Sequence, residues 1–355
     1  MKILYVEDEL VTNIDRIERL FEKYLDEDVS EKLKAFKEKR LKKPDELKKI
    51  VEETNLIEVE YRFPEALHKI IHDHEKYSLF VIDRNLSRGR YEHDEVRKID
   101  STYNEEKYEK FSKSNREGDY LLHHLILIHK ADVAKKFFFL TAYSAKDELR
   151  NADDIKLYID MKQFEERNFI EKGKEDDFER LKKIVDNNEV INLIHENMAY
   201  LRTLNGNIGE KAAERFLHVL HDKDSEQIQK IAENLGNLRN ILANILAEAG
   251  KRLNASESCW KGRELVIGKF IWWLTHDETT KEEIYKFDTN ILLRNFFYSI
   301  YQIGSDFGTP HEELNKDKVF GYQPTPDTVN ALVYALKDVI KWFGTICSRY
   351  PKAGT

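Results

Sequence analysis

The chain has 355 residues, a length suited to two domains. A net charge of −8 with 35% charged residues argues against binding nucleic acid by bulk electrostatics. Two cysteines, Cys259 and Cys347, exclude a disulfide framework, and no apolar stretch reaches the length of a membrane span, so a soluble cytoplasmic protein is expected.

In chain order, residues 2–6 form a short apolar run that reads as a strand, not as a signal peptide, and it stops in Glu7 and Asp8. Residues 22–55 are charged and helical, either one extended helix or a helical hairpin broken near Pro44. The alternation from residue 57 predicts a second strand, and Pro64 opens a helix over 64–72. Residues 78–82 form a third strand, which closes in Asp83. Residues 86–117 are an insertion rich in Lys, Glu, Arg, Ser and Asn, with tyrosines at 91, 103 and 108; that composition favours a solvated loop for most of its length over a lid or docking element. A helix over 120–129, a strand over 136–142, a helix over 145–164, a strand over 168–172 and a helix over 175–185 complete the half. Strand–helix alternation repeated five times predicts an α/β domain over 1–187, with a flavodoxin-like, doubly wound, parallel five-stranded sheet.

From residue 188 to 355 strand-like runs cease, and an all-helical output or dimerisation domain is expected. Apolar residues from Ile228 to Ala249 recur at helical spacing and stop at Gly250, a stripe that suits an internal core or a homodimer seam equally. Further helices are expected over 265–274, 291–303 and 329–346, where Trp272, Trp273, Trp342 and Phe343 read as core.

Chemistry concentrates at the strand ends of the first half. A buried parallel strand that stops in carboxylates delivers charge to the sheet edge where open α/β sheets bind ligands. Carboxylates meeting there repel unless a hard cation joins them, and Mg²⁺ takes oxygen ligands while keeping waters for a phosphate partner. Thr141 and Lys172 end the fourth and fifth strands; a hydroxyl can bond a phosphoryl oxygen, and a lysine brings a compact positive charge to it.

With these residues in this order, residues 1–187 resemble the receiver domain of two-component response regulators. The resemblance implies Glu7 and Asp8 as the acidic pair, Asp83 as phosphoacceptor, Thr141 as switch hydroxyl, Phe169 as switch aromatic and Lys172 as the lysine beside the phosphoryl group. It also implies Mg²⁺ held by Glu7, Asp8, Asp83 and the backbone carbonyl of Asn85, with a sensor histidine kinase or phosphotransfer protein as partner. Three features depart from the pattern. Gly173 stands where receivers carry proline, the segment between the first two strands is too long, and the Asp–Gly pair expected soon after the phosphoacceptor is represented only by Gly118–Asp119, beyond the insertion and in reversed order.

The expected function is therefore an atypical response regulator, phosphorylated on Asp83 and switching a helical output domain. Two alternatives stand beside it. One is a phosphorylation-independent pseudo-receiver that serves as an interaction module. The other is a defence-type effector with a HEPN-like helical domain, for which His311 is the candidate, although no arginine precedes it at the spacing such nucleases use. His68 and His72 have zinc-compatible spacing without a third ligand, and adjacent His123 and His124 point to different faces, so these and His129 are expected to be solvated or at the core edge.

Overall fold

In the computed structural model the described residues are 1–106, 108, 116–129, 133, 135–144, 166–308 and 323–351. The expected helix over 145–164 lies outside them, as does His311. The chain divides into two compact units, Met1–His195 and Glu196–Thr355.

The first unit is built on a five-stranded parallel sheet: β1 (Lys2–Val6), β2 (Ile57–Glu60), β3 (Tyr77–Asp83), β4 (Phe137–Thr141) and β5 (Phe169–Glu171). The spatial order is β2-β1-β3-β4-β5. Register pairs Tyr5 with Val59 and Val81, Asp83 with Leu140, and Thr141 with Glu171. All seven residues of β3 are buried, as a central parallel strand covered on both faces requires. On one face Leu4, Val6, Phe80, Ile82, Phe137 and Phe139 pack in a cluster with Phe63, Leu67 and Ile70 of α4 (Phe63–Asp73). On the other, Tyr5 meets Phe21 of α1 (Ile14–Phe21) edge-on, with ring centroids 5.6 Å apart.

Between β1 and β2 the charged stretch is a helical hairpin. Asp26 caps α2 (Glu27–Glu38) by accepting from the Val29 N–H, and Val29, Leu33 and Phe36 form its buried stripe. Pro44 occupies the first turn of α3 (Pro44–Glu52), where its missing N–H is harmless.

The described residues of the insertion after Asp83 are mostly exposed or half-buried, but they are not loop throughout. A capping box of Glu92 and Glu95 starts α5 (His93–Ile99), and Val96 buries its apolar side. Tyr108 is fully buried, with Phe63, Tyr103 and Tyr120 at centroid distances of 5.2, 5.3 and 5.3 Å. The aromatic rings outweigh the polar composition, because each buries a large apolar area for only two torsions. The helix α6 (Glu117–His123) follows, and α7 (Glu175–Asp186) and α8 (Glu189–Glu196) end the unit.

The second unit is mostly helical: α9 (Met198–Asn207), α10 (Glu210–Asp222), α11 (Ile228–Arg252), α12 (Ile267–Thr275), α13 (Ile291–Phe307) and α14 (Pro326–Arg349). It is not all-helical, since β6 (Trp260–Lys261) and β7 (Glu264–Leu265) form an antiparallel hairpin turned at Gly262, whose φ is 65°. In α11 the stripe from Ile231 to Ala249 is buried inside the unit, packed against α10, α13 and α14, which makes it core, whereas Ile228 is exposed. A Cβ on Gly236 would lie 2.5 Å from the Gly308 carbonyl oxygen, so the small residue lets α11 and the end of α13 approach closely. Among the described residues no helix is long and apolar enough to cross a membrane.

Candidate metal and phosphoryl site

The carboxyl ends of β1 and β3 bring three carboxylates together. Glu7, Asp8 and Asp83 each offer an oxygen within 4.8 Å of the others, and this is the one such group among the described residues. β1 and β3 are neighbours whose outgoing connections run to opposite sides, to β2 and to β4, which opens a crevice at their carboxyl ends. Glu7 has no solvent exposure and Asp83 has 3%.

Each carboxylate is oriented by hydrogen-bond donors, and Lys172 serves two of them. Lys172, just past β5, donates from Nζ to Asp83 Oδ2 at 2.5 Å and to Glu7 Oε1 at 3.1 Å. Arg16 of α1 donates from Nη1 to Glu7 Oε2 at 3.0 Å. The Arg88 backbone N–H donates to Asp8 Oδ2 at 2.8 Å, and the Asn85 N–H donates to Asp83 Oδ1 at 3.1 Å. The last bond turns the loop after β3 back over the carboxylate whose strand it leaves.

Burial pushes the Asp83 carboxyl well up from its ordinary value and Glu7 adds to the shift, while Lys172 opposes both. The charges of Asp83 and Glu7 hold the Lys172 ammonium up against the opposing effect of its own burial. Burial also raises Asp8. Three carboxylates sharing little solvent, with oxygen donors alone, fit a hard divalent cation such as Mg²⁺.

The remaining expected residues lie where the strands place them. Thr141 is buried at the end of β4, and its Oγ1 accepts from the Tyr143 N–H at 3.1 Å. Phe169 opens β5, buried and stacked on Phe139 with centroids 5.6 Å apart. Asn85 is exposed, and its side-chain Oδ1 accepts from the Ser87 N–H at 3.1 Å and hydroxyl at 2.6 Å. A Cβ on Gly173 would meet nothing within 4 Å, so no close approach demands glycine there.

The acidic–glycine pair near the site is Glu117–Gly118, not Gly118–Asp119. The buried Glu117 carboxylate accepts from the Leu86 N–H at 3.2 Å, and a Cβ on Gly118 would lie 2.7 Å from the Asp83 carbonyl oxygen. Asp119 points elsewhere and pairs with Arg84. His68 and His72 are exposed neighbours on α4, with rings 4.5 Å apart. His124, expected at the core edge or in solvent, is buried instead, with Nε2 3.0 Å from Asp100 Oδ2.

Arg16, the Leu86–Arg88 backbone and Glu117 were not evident as site residues from the sequence. Arg16 carried one faint signal, its place one turn into a helix that follows β1. Glu117 carried another, as the residue before a glycine. Comparison with known proteins finds no matching family model, no matching curated protein and no matching solved structure for this chain.

Proposed function

We propose that the first unit is a receiver-like phosphoacceptor domain of flavodoxin-like type, and that Asp83 is its phosphorylated residue. The observation that carries this reading is the meeting of Asp83 with Glu7, Asp8 and Lys172, brought from three strand ends to one crevice. The parallel order β2-β1-β3-β4-β5 supports it.

In this reading the donor is a phosphohistidine on a kinase or phosphotransfer partner. An Asp83 carboxylate oxygen forms the new bond to phosphorus as the phosphorus–nitrogen bond breaks, and the imidazole leaves. Lys172, already on Asp83 Oδ2, supplies positive charge to the phosphoryl oxygens. Thr141 turns its hydroxyl toward the same group, and Phe169 follows into the vacated space, a local charge event that biases a two-state element. Mg²⁺, when held by Glu7, Asp8, Asp83 and the Asn85 carbonyl, supplies neutralisation of charge on the transferring group.

Intact mass measured after incubation with acetyl phosphate and Mg²⁺ tests the proposal, with Asp83→Asn as control. One added phosphoryl group on the wild type alone is the expected result; no adduct on the wild type sinks it. A second reading, a phosphorylation-independent interaction module, draws support from the occupation of both Glu7 oxygens by protein cations. That module would show no adduct while keeping the fold.

A further inference from the structure

Glu7 is fully buried, and each of its carboxylate oxygens already faces a cation: Arg16 on Oε2 and Lys172 on Oε1. Lys172 is shared with Asp83, whereas Glu7 is the carboxylate that Arg16 holds. A guanidinium cannot lose its charge, so a dication arriving at Glu7 meets a fixed positive group on the same carboxylate.

The second observation lies two residues earlier in β1. Residues i and i+2 of a strand face the same way, so Tyr5 shares the face of Glu7. Its hydroxyl is buried and has no hydrogen-bond partner. Such a group is rare in a native interior and calls for an explanation. Burial holds the Tyr5 phenol well above its ordinary value, with Glu7 and Asp83 adding, while Arg16 opposes both by its charge and as a hydrogen-bonding neighbour, so the guanidinium already lies beside the hydroxyl without a bond of good geometry. Its oxygen can accept a hydrogen bond, and the guanidinium has five donors to offer.

We propose that Arg16 is a tethered counter-cation, which closes the acidic site on Glu7 and passes its hydrogen bond to the waiting Tyr5 hydroxyl when a divalent cation takes that carboxylate. The inference rests on reading Glu7, Asp8 and Asp83 as a metal site. It makes metal affinity lower than three carboxylates alone would give. It also makes that affinity adjustable by anything that shifts α1. A cleft of about 300 Å³ lined by Asn13, Arg16, Arg19 and Lys172 is the other place the guanidinium can turn, and Tyr5 distinguishes the two.

The test is Mn²⁺ titration of the full chain, followed by electron paramagnetic resonance of the free ion, with thermal melting as a check of folding. Arg16→Gln is expected to bind about tenfold tighter than wild type, the size of one charge-assisted hydrogen bond no longer broken. Arg16→Lys, which keeps the charge, is expected to stay within about threefold of wild type. Tyr5→Phe, the mildest change, is expected to bind about threefold weaker and to have no effect on the Arg16→Gln background. Arg16→Gln binding no tighter than wild type overturns the counter-cation. An unchanged Tyr5→Phe affinity overturns the transfer to Tyr5. If wild type binds Mn²⁺ and Asp83→Asn does not, the metal reading stands whatever Arg16 does; if no variant binds, metal site and counter-cation fall together.

Discussion

Arg84 and Asp119 form a buried two-pronged ion pair, with Nε donating to Oδ1 at 2.8 Å and Nη2 to Oδ2 at 2.9 Å. The two side chains are 3% and 1% exposed. This pair ties the residue after Asp83 to the first turn of α6, across the whole insertion. The Arg84 guanidinium also lies over the rings of Phe139 and Phe169, at 5.6 and 5.7 Å from their centroids. The strand that ends in Asp83, the insertion and Phe169 are thus joined through one side chain.

Removing one partner leaves a buried charge without its counterpart. Arg84→Met is expected to destabilise the first unit by roughly 3–5 kcal/mol in urea unfolding, and Arg84→Met with Asp119→Leu to recover much of that loss. A single variant that unfolds at the wild-type urea midpoint would remove the pair from the account of stability.

Gly118 has no room for a methyl group, since its Cβ would lie 2.7 Å from the Asp83 carbonyl oxygen and 2.9 Å from the Arg84 Cα. Both obstacles are backbone and cannot swing aside. Gly118→Ala is expected to cost about 1–3 kcal/mol and to lower phosphoryl uptake from acetyl phosphate by displacing Asp83. Gly173→Ala, with nothing within 4 Å, is the control and is expected to be near neutral. Equal melting temperatures for the two variants would show that the close approach is not what matters.

Burial pushes the Glu117 carboxyl up to about 7 from 4.5. A raised folded-state value means that the native protein binds the extra proton, so this group's contribution is fully present below about pH 4.5 and is lost as pH rises through 7. Glu117→Gln keeps an acceptor for the Leu86 N–H and cannot ionise. It is expected to match wild type near pH 4.5 and to exceed it above pH 7 by up to roughly 3 kcal/mol. Urea midpoints measured across that range check this, and a constant difference between the two proteins would count against it.

Tyr108 is the centre of the insertion's aromatic core. Tyr108→Ala is expected to cost about 3–5 kcal/mol and to expose α5 to limited proteolysis. Tyr108→Phe loses only the hydroxyl contact with Tyr91 and is expected to cost about 1 kcal/mol, with no new cleavage. Early cleavage in the wild-type insertion would instead favour the solvated loop that composition suggested.

By itself the sequence determined the alternation of strands and helices among the described residues, because periods of 2 and 3.6 residues are local properties of pleat and helix. It also determined which residues end the strands: Glu7, Asp8, Asp83, Thr141 and Lys172 are all found at those ends. The helical character of residues 22–55 was legible for the same reason, whereas the structure chose the hairpin broken at Pro44 over one extended helix. Only tertiary structure decided which of these groups meet, since Lys172 is 165 residues from Glu7 and 89 from Asp83. Only packing revealed that Arg16 reaches Glu7, that the Tyr5 hydroxyl stands without a partner, and that Glu117 rather than Asp119 faces the loop after β3. Composition did not show where the insertion is anchored, because it counts charges, while burial depends on where a few aromatic rings can meet. The stripe of α11 became core for a related reason: periodicity fixes a helix's apolar face, and only its neighbours determine what that face is packed against.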